Sequence, residues 1–138
     1  MDLRGPAVIV VDSSYALALV MPDESRPASM AQVLSQPLLA PFLWPVELAN
    51  AMRNAVRRTR LREHQVTGLC ADLDVLDVEI VAPWQQSAQR YFEVAQAHDL
   101  TPYDALYVDL ALTRRCALAT CDQRLAAAAQ RVGIAVHG

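Results

Sequence analysis

No two strand-forming runs of this chain are joined by a hairpin turn; each is separated from the next by one or two helices. That alternation leaves few folds open. Strands linked this way run parallel, and the connecting helices cover the sheet on both faces. Ala7 to Val11 (AVIVV) is a continuous apolar, mostly β-branched run, the composition of a strand buried on both sides. Leu38 to Ala40, Glu79 to Ala82, Ala117 to Ala119 and Ile134 to Val136 follow as short strands. Helices are predicted from Tyr15 to Met21, from Pro27 to about Ser35, from Pro45 to about Arg58 and from Glu63 to Leu76. Three more are predicted from Pro83 to about His98, from Pro102 to about Arg114 and from the Asp122 cap to Arg131. With 138 residues and no linker, repeat or low-complexity tract, the chain reads as one domain spanning 1–138.

Four acids stand at special places in this pattern. Asp12 directly follows the first strand, Asp122 comes three residues after the fourth, and Glu47 opens the helix after the second. Asp104 opens the helix that leads into the fourth strand by a short turn. That helix must run antiparallel to the strand, so its N-terminus lies at the strand's carboxyl edge. All four acids therefore gather on the rim where open α/β sheets bind ligands.

Each acid alone has an ordinary explanation. Asp12 and Asp122 suit N-caps, Glu47 and Asp104 sit in the first turn of Pro-initiated helices, and Thr101-x-x-Asp104 resembles a capping box. Capping does not require four helices to collect their acids at one rim, however. Carboxylates crowded together are costly unless a cation sits among them. The small hydroxyl-bearing neighbours Ser13, Ser14 and Thr120 leave room for one. Asp109 is about 140° around its helix from Asp104 and is expected to point elsewhere. Asp72, Asp74, Asp77 and Glu79 read as a solvated face and turn.

Composition removes several alternatives. The twelve basic residues are all Arg. Without Lys, neither a phosphorelay receiver nor a haloacid-dehalogenase-like phosphatase fits. Four glycines, none in GxGxxG or GxxxxGK spacing, argue against dinucleotide and P-loop sites. Cys70, Cys116 and Cys121 form no CxxC pair and no zinc spacing with the histidines. No apolar stretch approaches the ~20 residues of a membrane span. The run at the start is too short for a secretory signal, so a cytoplasmic protein is expected. A net charge of −3 argues against binding nucleic acid through bulk positive charge. Five arginines nevertheless cluster between Arg53 and Arg62. Arg53, Arg57 and Arg58 read equally as a solvated face or as a site for an anionic partner such as RNA.

With these residues in view, the chain resembles a PIN domain, and most of all a VapC-type toxin of bacterial toxin–antitoxin pairs. The likeness runs along essentially the whole chain. It is carried by VIVVDSSYAL with Asp12, WPVELANAM with Glu47, LTPYDALYVDLA with Asp104 and LATCDQRL with Asp122. The Asp-Ala-Leu-Tyr helix start is the most specific, and Cys121 fills the variable place of a Thr-x-Asp turn. Asp109 adds an acid where the family usually has a small or apolar residue. The resemblance implies a three-layer α/β/α sandwich around a parallel sheet of four or five strands. It also implies Mg²⁺ or Mn²⁺ held by the four acids, endonucleolytic cleavage of RNA, a cognate antitoxin partner and a homodimer.

An all-oxygen donor set suits such a hard cation, which keeps several of its waters. Asp12 and Asp104 are the expected direct ligands, with Glu47 and Asp122 acting through water or on a second ion. The expected reaction is attack of activated water on phosphorus, leaving 5′-phosphate and 3′-hydroxyl ends. Ser14, Asn50 and Thr120 would orient waters or acids around the site. Two other readings share the fold: a non-catalytic module that binds RNA or protein, and an RNA-processing nuclease outside any toxin–antitoxin pair.

Overall fold

The computed structural model describes residues 7–84 and 87–138. Its centre is β1 (Ile9–Val11), whose three residues are all buried. Around it lie β2 (Leu38–Pro41), β3 (Glu79–Val81), β4 (Ala117–Ala119) and β5 (Val136–His137). The five strands form one parallel sheet in the order β3-β2-β1-β4-β5. Ile9 pairs with Leu38 on one side and Ala117 on the other, which fixes the register at the centre. The order advances outward from β1 through β2 to β3, then resumes on the opposite side with β4. The switch point between β1 and β4 is where a parallel sheet opens a crevice at its carboxyl edge.

The helices are α1 (Ser13–Val20), α2 (Met30–Leu34), α3 (Trp44–Arg57), α4 (Val66–Val75), α5 (Ala88–His98), α6 (Pro102–Arg114) and α7 (Gln123–Arg131). They pack in two groups: α1 touches α3 and α4, while α6 touches α5 and α7 and lies against β1 and β2. This is the sandwich expected from strand–helix alternation, with the five strands read along the chain. Residues 105 to 111 of α6 are buried without interruption, so this helix is embedded and not amphipathic.

Local chemistry explains the boundaries. Asp12, Thr101 and Asp122 cap α1, α6 and α7 with their side chains. The helix expected from Pro83 starts instead at Ala88, capped by the Ser87 hydroxyl, and residues 82–84 are irregular. Positions 85 and 86, which that expectation also covered, lie outside the described residues. The helix expected from Pro27 is confined to Met30–Leu34; the Pro27 carbonyl accepts only a single-turn bond from Met30 N–H. The last strand falls two residues later than expected. Ile134 is buried against the core, and the Ala135 carbonyl accepts the Leu118 N–H before β5 begins.

Candidate active site

Asp12 leaves β1 at the switch point and is 4% exposed. Its backbone N–H donates to the Ala119 carbonyl at 3.1 Å, so the end of β1 is pinned to the end of β4. Its carboxylate accepts the Tyr15 N–H at 2.8 Å, the Ser14 hydroxyl at 2.8 and 2.9 Å, and the Thr120 hydroxyl at 2.5 Å. Thr120 Oγ1 in turn accepts the Asp122 N–H at 3.0 Å, and Ser14 Oγ accepts the Cys121 N–H at 3.0 Å. The two hydroxyls thus stitch the β1–α1 turn to the β4–α7 turn. Asp122 uses Oδ1 to cap α7, accepting Arg124 N–H at 2.9 Å and Leu125 N–H at 3.2 Å.

The other two acids come from α3 and α6. Glu47 is half-buried, and its Oε1 accepts the hydroxyl of Tyr107, which is itself fully buried on α6. Asp104, three residues before Tyr107, is also half-buried, with its N–H capped by Thr101 Oγ1 at 3.2 Å. Glu47 and Asp104 face one open pocket of about 480 Å³, whose wall also includes Asn50, Leu43, Val46, Thr101 and Tyr103.

Electrostatics link all four. Burial pushes the Asp12 carboxyl up to about 6, against the pull of the Thr120, Tyr15 and Ser14 hydrogen bonds, and the Asp122 charge adds to the rise. Glu47 is raised by burial, partly offset by Tyr107, and raised further by the charges on Asp104 and Asp12. Asp104 is raised by burial and by Asp122, partly offset by Thr101 and Arg124. The repulsions close a ring: Asp12 with Asp122, Asp122 with Asp104, Asp104 with Glu47, and Glu47 with Asp12. Among the described residues, none of the four forms a salt bridge. Such uncompensated charge at an oxygen-only site is what a hard divalent cation neutralises, so the donors fit that group. Among the described residues, no three acidic, histidine or cysteine side chains come close enough to ligate one ion directly.

Ser14 and Thr120 both donate to the Asp12 carboxylate. Asn50 lines the same pocket as Glu47, as its position one helical turn later implied. Asp109 points away from the rim, as expected: it accepts the Trp84 indole N–H at 2.7 Å. Arg53 and Arg57 share a different cavity of about 600 Å³ between α3 and α4, lined also by Met52, Val66 and Cys70. Arg58 is exposed at the end of α3. Arg60, from the same cluster, is committed to Asp23 through two bonds of 2.8 and 3.3 Å.

Two contributors escaped the sequence reading. Tyr107 orients Glu47; it belongs to the Asp-Ala-Leu-Tyr start, but its partner on α3 is not legible there. Arg124 supplies the positive charge felt by Asp104, and it was hidden as an ordinary residue after a cap.

Comparison with known proteins identifies the family and agrees with the fold. A family profile described as PIN domain matches residues 9–131. Ribonuclease VapC12 of Mycobacterium tuberculosis is 31% identical over 120 residues, covering 86% of this chain and 90% of that protein. Ribonuclease VapC3 of Pyrobaculum aerophilum is 33% identical over 120 residues, covering 86% and 92%. Among solved structures, PAE2754 from Pyrobaculum aerophilum superposes with a TM-score of 0.71 at 21% identity, covering 97% of this chain and 87% of that one. FitAcB from Neisseria gonorrhoeae gives 0.56 at 15% identity, covering 94% and 96%. Both structural likenesses concern the fold.

Proposed function

The chain belongs to the PIN-domain family and, within it, to the VapC ribonucleases; from that membership and the ring of carboxylates we propose how it acts. It is the endoribonuclease toxin of a toxin–antitoxin pair, a hydrolase of RNA phosphodiester bonds. The observation that carries the site is the closed set of four mutually repelling carboxylates, none of them in a salt bridge among the described residues, at the switch point of a parallel sheet.

Asp12, Glu47, Asp104 and Asp122 would hold Mg²⁺ or Mn²⁺. When bound, the ion supplies an activated water and offsets the charge that develops during phosphoryl transfer. The residues themselves have distinct tasks. Asp12 is the fixed anchor, locked by Thr120, Ser14 and the Tyr15 N–H. Glu47 and Asp104 face the open pocket where substrate arrives, and Tyr107 holds the Glu47 carboxylate in orientation. Asp122 divides its carboxylate, with Oδ1 capping α7. Ser14 and Thr120 orient Asp12, a role whose partners at other metal sites matter nearly as much as the ligands.

The catalytic unit spans the chain and works as a homodimer in the cytoplasm, restrained by a cognate antitoxin. Among the described residues no helix is long and apolar enough to cross a membrane. Arg53, Arg57 and Arg58 offer positive charge for RNA or for the antitoxin. The test is RNA cleavage with magnesium, manganese or chelator, in the natural chain and in Asp104→Asn. Cleavage should need the ion and fall at least a hundredfold in the variant while the circular dichroism spectrum stays unchanged. Undiminished turnover by Asp104→Asn would remove the carboxylates from the chemistry.

A further inference from the structure

We propose that the pocket between the first turns of α3 and α6 seats one unpaired adenine base of the RNA, with the Tyr103 ring as its stacking platform and the Asn50 carboxamide reading its edge. The seat presupposes the ribonuclease reading and adds how the site chooses where to cut.

Tyr103 immediately precedes Asp104 and is 64% exposed, whereas Tyr15 and Tyr107 are fully buried. Among the described residues its hydroxyl has no hydrogen-bond partner, so neither packing nor a polar contact accounts for the residue. Val46, which lines the same pocket from α3, is 69% exposed. An aromatic ring and a branched apolar side chain left in water at the mouth of one pocket mark a place for a flat apolar surface. The pocket, at about 480 Å³, has ample room for a single base.

The wall of the pocket decides which part of a nucleotide enters. Leu43, Val46 and the Tyr103 ring are uncharged and largely apolar, a lining that suits a flat base and not a phosphate. Single-stranded RNA is read in this manner elsewhere, by stacking an unpaired base on an aromatic side chain and contacting its edge. Because the platform adjoins Asp104 in sequence, the seated base belongs to a nucleotide next to the phosphate held at the carboxylates.

Base identity follows from the donors and acceptors. Asn50 is exposed, and its carboxamide has no hydrogen-bond partner among the described residues. It presents an acceptor beside a donor, the pattern that pairs with the adenine amino group and N7.

The experiment is binding of fluorescent homo-oligoribonucleotides of A, C, G and U, with calcium replacing magnesium, followed by cleavage of the same oligomers with magnesium. The natural chain should bind oligo-A several-fold more tightly than oligo-U. Tyr103→Ala should weaken oligo-A binding about tenfold, and Tyr103→Phe should bind within about twofold of the natural chain, since the ring and not the hydroxyl stacks. Asn50→Ala should remove the preference for A while keeping residual binding. In cleavage, Tyr103→Ala should raise KM and leave kcat at saturating RNA nearly unchanged. Equal binding by Tyr103→Ala, equal damage from Tyr103→Phe, or no preference for A in the natural chain overturns the seat. A chain that cleaves RNA but ignores Tyr103→Ala loses only the seat; one that neither binds nor cleaves RNA loses the ribonuclease reading as well.

Discussion

Thr120 Oγ1 donates to Asp12 Oδ2 at 2.5 Å, across 108 residues of chain. The same oxygen accepts the Asp122 N–H at 3.0 Å, so one hydroxyl sets the relation between two of the four acids. The bond spans the switch point between β1 and β4.

Replacing Thr120 by Val keeps the shape and removes the donor. The hydrogen bond lowers the proton affinity of Asp12, so its loss raises the Asp12 pKa further above the ordinary carboxylate value. The acid limb of the cleavage-rate profile should then move to higher pH. Activity at neutral pH should fall about 10–100-fold, the usual effect of removing a ligand's supporting partner. Thr120→Ser should restore both. A pH–rate profile unchanged in Thr120→Val would mean the hydroxyl does not govern Asp12.

Asp12 should also make the metal-free protein less stable as pH rises. Its pKa is about 6 when folded against an ordinary 3.8, so the folded chain holds the proton more tightly between those values. The contribution is complete below about pH 4 and is lost as pH passes through 6, a difference of about 3 kcal/mol. Asp12→Asn should therefore raise Tm by several degrees at pH 7 in chelator but not at pH 4. Manganese should stabilise the natural chain at pH 7 and do little for the variant. Thermal melts in which Asp12→Asn gains nothing at pH 7 would contradict the burial argument.

The Trp84 indole and the Asp109 carboxylate form a structural pair away from the rim. Trp84→Phe leaves the carboxylate, 9% exposed, without its donor, and should cost about 1–3 kcal/mol in denaturant unfolding. Adding Asp109→Leu removes both partners and should recover part of that stability. Cleavage per folded molecule should remain unchanged in both variants. A drop in cleavage by folded Trp84→Phe would bring Asp109 back toward the site.

Arg53 and Arg57 line the α3–α4 cavity, while Glu47 and Asn50 line the carboxylate pocket. Arg53→Ala with Arg57→Ala should therefore weaken binding of RNA or antitoxin by tenfold or more and leave kcat unchanged. If RNA is the ligand, the salt dependence of its affinity should flatten by up to ~0.7 in log–log slope for each phosphate no longer neutralised by an arginine. Unaltered affinity for both ligands would return these arginines to the solvated surface.

Much of the molecule could be read along the chain. The five strands, their parallel sense and the rim position of the acids follow from local signals: β-branched runs, caps and the alternation of elements. Helix starts at prolines were less dependable. Pro45 and Pro102 fall in first turns, but α5 begins at Ala88 because Ser87 supplies the cap that a residue near Pro83 did not. The first-turn position of Glu47 does not describe what its side chain does. It makes no capping bond, and its carboxylate turns to Tyr107, 60 residues away.

The sequence by itself determined that this is a parallel α/β sheet with carboxylates at one edge, because periodicity and capping act over three or four residues and are written locally. Tertiary structure alone decided which side chains serve them. Thr120 and Ser14 close over Asp12, Tyr107 reaches Glu47, Arg124 approaches Asp104, and Asp109 turns to Trp84. Those meetings depend on how helices settle on the sheet, and burial there, more than residue type, raises Asp12, Glu47 and Asp104 above their ordinary values.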